Sequence, residues 1–186
     1  MGDINLFNLK GSIYLKKVKS KEGIFGDDSC DGYLIGATEK EARRIVDSLK
    51  GSDKKIGIVG GDDAFNRRIV ETLRIDYLIS PERGTKSDTL KQRDSGINHV
   101  VAKIAKEKNI LVVVDMSEVG KLNGKEKALR LGRIIQNVKV CRKAGCRIGI
   151  ASLGLSESEV IDEKGRKAFG TSLGMSSKQI AESVEF

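Results

Sequence analysis

The chain has 186 residues, of which 39% are hydrophobic and 32% charged, and its formal net charge is +8. This is the composition of a globular chain long enough to bury a core, and it predicts one domain over residues 1–186. One histidine, three cysteines and no tryptophan exclude a poly-imidazole metal hydrolase, a disulfide framework and a surface built to stack successive bases.

In chain order, short β-branched runs alternate with longer amphipathic stretches. Strands are expected at Ile4–Leu9, Gly32–Ile35, Ile56–Val59, Ile75–Ser80, Ile110–Asp115 and Arg147–Ser152. Runs as continuous as Ile110-Leu111-Val112-Val113-Val114 suit strands buried on both faces of a parallel sheet. Lys16–Cys30 and Glu82–Gln92, polar stretches, are read as loops. Helices are expected at Thr38–Leu49, opened by a Thr38/Glu41 capping box, at Asp63–Leu73, at Gly96–Lys108 capped by Asp94 or Ser95, at Lys125–Ala144 and at Ser176–Val184. In Gly96–Lys108, Ile97, Val100, Val101, Ile104 and Ala105 form the inward face, which turns His99 and Lys103 outward. Strand–helix alternation implies right-handed crossovers and a parallel sheet. Six or seven units fit a compact TIM-barrel-like (β/α) fold, in a chain short enough to hold fewer than eight complete units. An open doubly wound sheet is the alternative.

No apolar run is long enough to span a bilayer, and the N-terminus lacks the basic and apolar regions of a secretory signal. Sparse cysteines fit a reducing compartment such as the cytoplasm. Gly57-Ile58-Val59-Gly60-Gly61 could cradle a phosphate, but Asp62 and Asp63 at the helix start favour a plain strand-to-helix turn. Cys141 and Cys146 read as small core side chains. Asp115 ends a strand where barrel enzymes place catalytic groups, yet no second metal ligand stands at a readable spacing.

The charge is concentrated. Between Lys121 and Arg147 stand nine basic residues and one acid, Glu126, so this segment carries the whole net charge. On its helix Arg130, Arg133 and Asn137 lie away from the apolar stripe of Leu131, Ile134, Ile135, Val138 and Cys141, with Lys139 and Lys143 beside them and Arg142 near the C-terminal end. A solvated helix mixes charge signs. The near absence of acids favours an anion-binding face, which would meet phosphates by charge and shape.

The block Asp76-Tyr77-Leu78-Ile79-Ser80-Pro81, followed by Arg93-Asp94-Ser95-Gly96-Ile97-Asn98-His99-Val100-Val101-Ala102-Lys103, resembles protein component 3 of archaeal ribonuclease P. The likeness continues through Arg142-Lys143, Ile150-Ala151-Ser152, Arg166 and Ser172-Leu173-Gly174-Met175. It covers roughly Ile75–Val184, while the first 74 residues match only in rhythm. The resemblance implies a barrel related to phosphoesterases but without their metal-binding histidines. It implies a subunit of the ribonucleoprotein that removes the 5′ leader from precursor tRNA, with the catalytic site in the RNA and Mg2+ bound there, and no cofactor in the protein. It also implies a small ferredoxin-like partner subunit in a two-plus-two assembly. Arg93, His99, Lys103, Arg130, Arg133, Lys139, Arg142 and Lys143 would then meet RNA or stand near that partner, and Lys86 and Lys91 in the loop after Pro81 would lie near the RNA. Two alternatives belong to other classes: a small metal-dependent phosphoesterase using Asp115, and a basic barrel that binds an acidic protein surface.

Overall fold

The computed structural model describes residues 2–24, 29–84, 88 and 93–186. Lys86 and Lys91 lie outside the described residues.

Seven parallel strands follow one another in sequence order around a single sheet: β1 (Ile4–Asn5), β2 (Ile13–Val18), β3 (Gly32–Ile35), β4 (Lys55–Val59), β5 (Tyr77–Ile79), β6 (Leu111–Asp115) and β7 (Ile148–Ala151). The helices are α1 (Glu39–Ser48), α2 (Asp63–Thr72), α3 (His99–Glu107), α4 (Met116–Lys121), α5 (Gly124–Ala144), α6 (Glu163–Ser172) and α7 (Ser177–Glu182). The expected TIM-barrel-like architecture is present, with seven strands. The sheet curls back on itself just past β7. Leu153 N donates to Ile4 O and Leu6 N to Gly154 O, both at 2.9 Å. Asp3 sits on this seam, where its Oδ1 accepts from Ser152 N at 3.0 Å and pairs with the buried Arg166 at 3.2 Å.

The alternation of side chains along each strand creates two cores. Leu34, Tyr77, Ile79, Leu111, Val113 and Ala151 point into the barrel, while Tyr33, Ile35, Leu78, Val112, Val114, Ile148 and Ile150 point out to the helices. A seven-strand lumen is narrow, and Gly57 faces it because a Cβ there would stand 3.3 Å from Ile79 Cδ1 and 3.5 Å from Leu15 and Leu34. The continuous apolar runs were therefore a sound sign of strands covered on both sides.

Three expectations change. Lys16–Cys30 is not a single loop: Ile13–Val18 is β2, paired with β3 from Leu15↔Gly32 to Val18↔Ile35, and Lys21–Ile24 is a 3-10 turn. Two adjacent lysines hide that strand, since only Leu15 and Val18 of its six residues are buried. α3 starts at His99, not near Gly96; its cap is Asn98, whose side chain accepts from Val100 N and Val101 N, rather than Asp94 or Ser95. Thr38 precedes α1 as expected but makes no capping hydrogen bond. The helices α4 and α6 were not foreseen, being short or, in α6, interrupted by two glycines.

Candidate nucleic-acid interface

In this barrel each helix runs back from the C-terminal mouth of the strands. α5 therefore begins at the mouth and ends at the opposite rim, and α3 packs along it in the same direction. Asn137 Nδ2 donates to Ser95 O at 2.8 Å just before α3, and at the other end a Cβ on Gly145 would meet the end of the Lys106 side chain at 3.2 Å.

The cations of α5 divide according to which way they face. Arg133 is buried, with 3% of its surface exposed. Its guanidinium pairs with Asp88 at 2.8 Å and donates to Glu82 O at 3.3 Å and Gly84 O at 2.5 Å. Burial pushes the Asp88 carboxyl up, but the Arg133 hydrogen bond and charge, with help from Asp94 N and Arg93, hold it below the ordinary aspartate value. Asn137 is buried too. Both residues were expected on the outer face. They turn inward because Asp88 and the carbonyls of Glu82, Gly84 and Ser95 stand on that side of the helix and need donors. Arg130 is mostly covered and pairs with Glu118 Oε1 at 3.2 Å, an oxygen that Arg83 also approaches at 3.0 Å. Arg142 stays exposed but reaches sideways, donating to Gln179 Oε1 at 2.8 Å and to Gly174 O. Three of the four arginines named from sequence on α5 and before it are thus engaged within the molecule.

The outward stripe of α5 is different. Lys125, Lys139 and Lys143 are exposed, as are Arg93, His99 and Lys103 on and before α3. Among the described residues, Lys103, Lys125, Lys139 and Lys143 have no acidic partner within ion-pair distance, by contrast with the pairs formed at the mouth. Lys125 to Lys143 spans about 27 Å along the axis at ~1.5 Å per residue. Neither helix carries a phenylalanine, tyrosine or tryptophan, so the imidazole of His99 is the one ring the two helices offer and charge dominates the face. Val100, expected inward, is 48% exposed on the same side. The Asn98 cap shifts the helix start and leaves Val101, Ala102 and Ala105 as the buried set. Sequence reasoning missed Gly132 and Gln136, which lie beneath Arg93: Gln136 Nε2 donates to Arg93 O at 3.3 Å.

The carboxyls around Arg83 and Arg130 at the mouth are buried or mostly covered. Burial pushes the Glu82 carboxyl up to about 7, with Arg130 drawing it down and Glu118 and Asp115 adding to the rise. Burial likewise lifts Asp115 to about 6, while its Oδ1 caps α4 by accepting from Glu118 N at 2.9 Å. Asp115 and Glu118 are committed to the cap and to two arginines, and among the described residues no three His, Cys, Asp or Glu side chains are grouped to hold a metal ion. Over β2–β4 a cavity of about 920 Å3 is lined by Lys17, Lys19 and Arg83 but also by Glu41 and Asp62. The glycines at the end of β4 belong to a plain turn. A Cβ on Gly60 would stand 2.4 Å from Pro81 Cα, Gly61 N donates to Asn66 Oδ1 at 2.8 Å, and Asp62 caps α2. Cys141 and Cys146 are buried, as read from the sequence.

Comparison with known proteins places these features. No family model matches the chain. Ribonuclease P protein component 3 of Methanococcoides burtonii is 24% identical over 151 residues, covering 77% of this chain and 59% of that protein. Component 3 of Methanothermobacter thermautotrophicus is 27% identical over 154 residues, covering 82% and 60%. The chain resembles ribonuclease P protein component 3. The similarity extends beyond the C-terminal 110 residues in which the sequence first displayed it, and the chain spans about three-fifths of the length of these two component 3 relatives. A chain in the cryo-electron microscopy structure of archaeal ribonuclease P with mature tRNA shares the fold at a TM-score of 0.68 and 20% identity, covering 98% of this chain and 87% of that one. A prolidase complexed with N-methylphosphonate-L-proline shares it at 0.58 and 14%, covering 84% and 41%. No helix among the described residues is long and apolar enough to cross a membrane.

Proposed function

We propose that the chain is a protein subunit of ribonuclease P that assists the catalytic RNA in removing the 5′ leader from precursor tRNA. The observation that carries this reading is the similarity to component 3 over about four-fifths of the chain. The outer α3–α5 face supplies the physical means. Lys103, Lys139 and Lys143, with Arg93, present a row of positive charge beside the exposed His99, suited to the phosphates of a structured RNA. Neutralising phosphates releases counterions, so the protein would lower the ionic cost of folding the RNA against itself. Mg2+ would be bound by the RNA, not by this chain, and precursor tRNA would be met indirectly. A small ferredoxin-like subunit in a two-plus-two assembly, working in the cytoplasm, completes the reading.

Arg133 is withdrawn from the contact set because its charge is neutralised in the interior, while Arg130 braces α4 through Glu118 and Arg142 braces α7 and the turn before it. The test is reconstitution of cleavage from the catalytic RNA, the partner subunit and this chain. The reading expects precursor-tRNA cleavage to rise when the chain is added, above all at low Mg2+. Cleavage unchanged by the chain would refute it.

A further inference from the structure

Gly132 stands in the middle of a 21-residue helix, on its outward side, where glycine is a poor choice. It is nevertheless buried. What covers it is Arg93. A Cβ on Gly132 would fall 1.6 Å from Arg93 Nη1 and 2.8 Å from its Cζ. The guanidinium therefore points its Nη1 end at bare helix backbone, in a notch that only glycine leaves open. The neighbouring turns of α5 fix the chain that carries it: Gln136 holds Arg93 O, Asn137 holds Ser95 O, and Arg133 holds Gly84 O and Asp88.

We infer that Gly132 is a positioning residue: it seats the Arg93 guanidinium on the ridge of α5, between Lys125 and Lys139, so that Arg93 forms the central anion contact of the face. This rests on the reading of that face as the one that meets RNA. Without the notch the row would be broken for 14 residues of helix, about 21 Å at ~1.5 Å per residue, between the two lysines. With Arg93 in it, an exposed guanidinium seated by its Nη1 end stands in the gap, a group whose remaining donors suit phosphate. The atom that a new Cβ would strike is the far end of a flexible exposed side chain. Gly132→Ala should therefore swing Arg93 out of the row without disturbing the helix, and alanine is the better helix former.

The experiment measures the binding of a ribonuclease P RNA transcript as a function of salt for the wild-type chain, Arg93→Ala, Gly132→Ala and the double variant, with thermal unfolding of each. Losing one phosphate contact lowers the slope of log affinity against log salt by about 0.7–0.9. The inference expects that loss in both single variants, no further loss in the double variant, and a melting temperature for Gly132→Ala no lower than wild type. A purely structural glycine would move the melting temperature and not the slope. Gly132→Ala binding with the wild-type slope, or losses that add in the double variant, would overturn it. Arg93→Ala leaves the helix untouched and gives the same slope test even if Gly132→Ala melts early. If the wild-type chain binds the transcript no better than a charge-matched control, the reading of the face as RNA-binding fails, and the assignment of Arg93 fails with it.

Discussion

The mouth of the barrel and the outer α3–α5 face both draw on the basic segment, and they use it in opposite ways. At the mouth Arg83, Arg130 and Arg133 are matched with Glu118 and Asp88. On the outer face Lys103, Lys139 and Lys143 stand exposed. Residue type follows the task. A guanidinium is weakly hydrated and planar, so it can be covered and still satisfy several carbonyls, as Arg133 does. An ammonium keeps its water and its reach, which suits a surface that waits for a partner. The concentrated charge of the segment is therefore two populations, one holding the fold and one available to a ligand.

The sharpest way to break this contrast is Arg133→Ala. It strands the Asp88 carboxylate and the Glu82 and Gly84 carbonyls and should cost about 3–5 kcal/mol in urea unfolding. A cost of a few tenths would place Arg133 among the free cations. Next comes the pH response. Glu82, lifted to about 7 from its ordinary 4.5, is protonated more readily in the folded state. Its stabilising effect is present below pH 4.5 and is lost as pH rises through about 7. Asp88, held below the ordinary aspartate value, behaves in the opposite sense, and its contribution is lost only as pH falls through that depressed value. Glu82→Gln should flatten the stability profile between pH 4.5 and 7 and raise stability at pH 8, on the order of 3 kcal/mol, since one pKa unit is worth about 1.4 kcal/mol. An unchanged profile would mean that Glu82 is not desolvated.

Smaller still is Asn98→Ala, which removes the cap that sets the start of α3 and should cost about 1 kcal/mol in thermal unfolding. If the cost is nil, the helix begins earlier and the outward placement of Val100 is in doubt. The smallest expected effect on stability belongs to Lys103→Ala, Lys139→Ala and Lys143→Ala together, which should stay within about 0.5 kcal/mol for each site. Their salt slope for RNA binding should nevertheless drop by about 2–3, one contact per lysine. Equal slopes would remove the outer face from the interface.

The sequence carried the barrel well and the site in part. Ile110–Asp115 could be read as a strand because both its faces are covered, a condition that leaves an unbroken apolar run. Ile13–Val18 could not, because it buries only two side chains and carries Lys16 and Lys17 in their midst. The lysines of the face were legible from helical spacing. The inward turn of Arg133 and Asn137 was not, since their partners Gly84 and Ser95 lie 49 and 42 residues away in sequence, and a helical wheel holds no record of a loop that will cross it. Gly132 was silent for the same reason: the notch has meaning only once Arg93 is seen to fill it.

The proposed interface puts RNA on the outer α3–α5 face rather than at the mouth. Acetylation of lysines in the chain, alone and assembled with ribonuclease P RNA and the partner subunit, followed by mass spectrometry, tests it most directly. Lys103, Lys139 and Lys143 should become protected on assembly with the RNA while Lys17 and Lys19 at the mouth keep their reactivity. Protection of Lys17 and Lys19, with the three lysines of α3 and α5 still reactive, would contradict it.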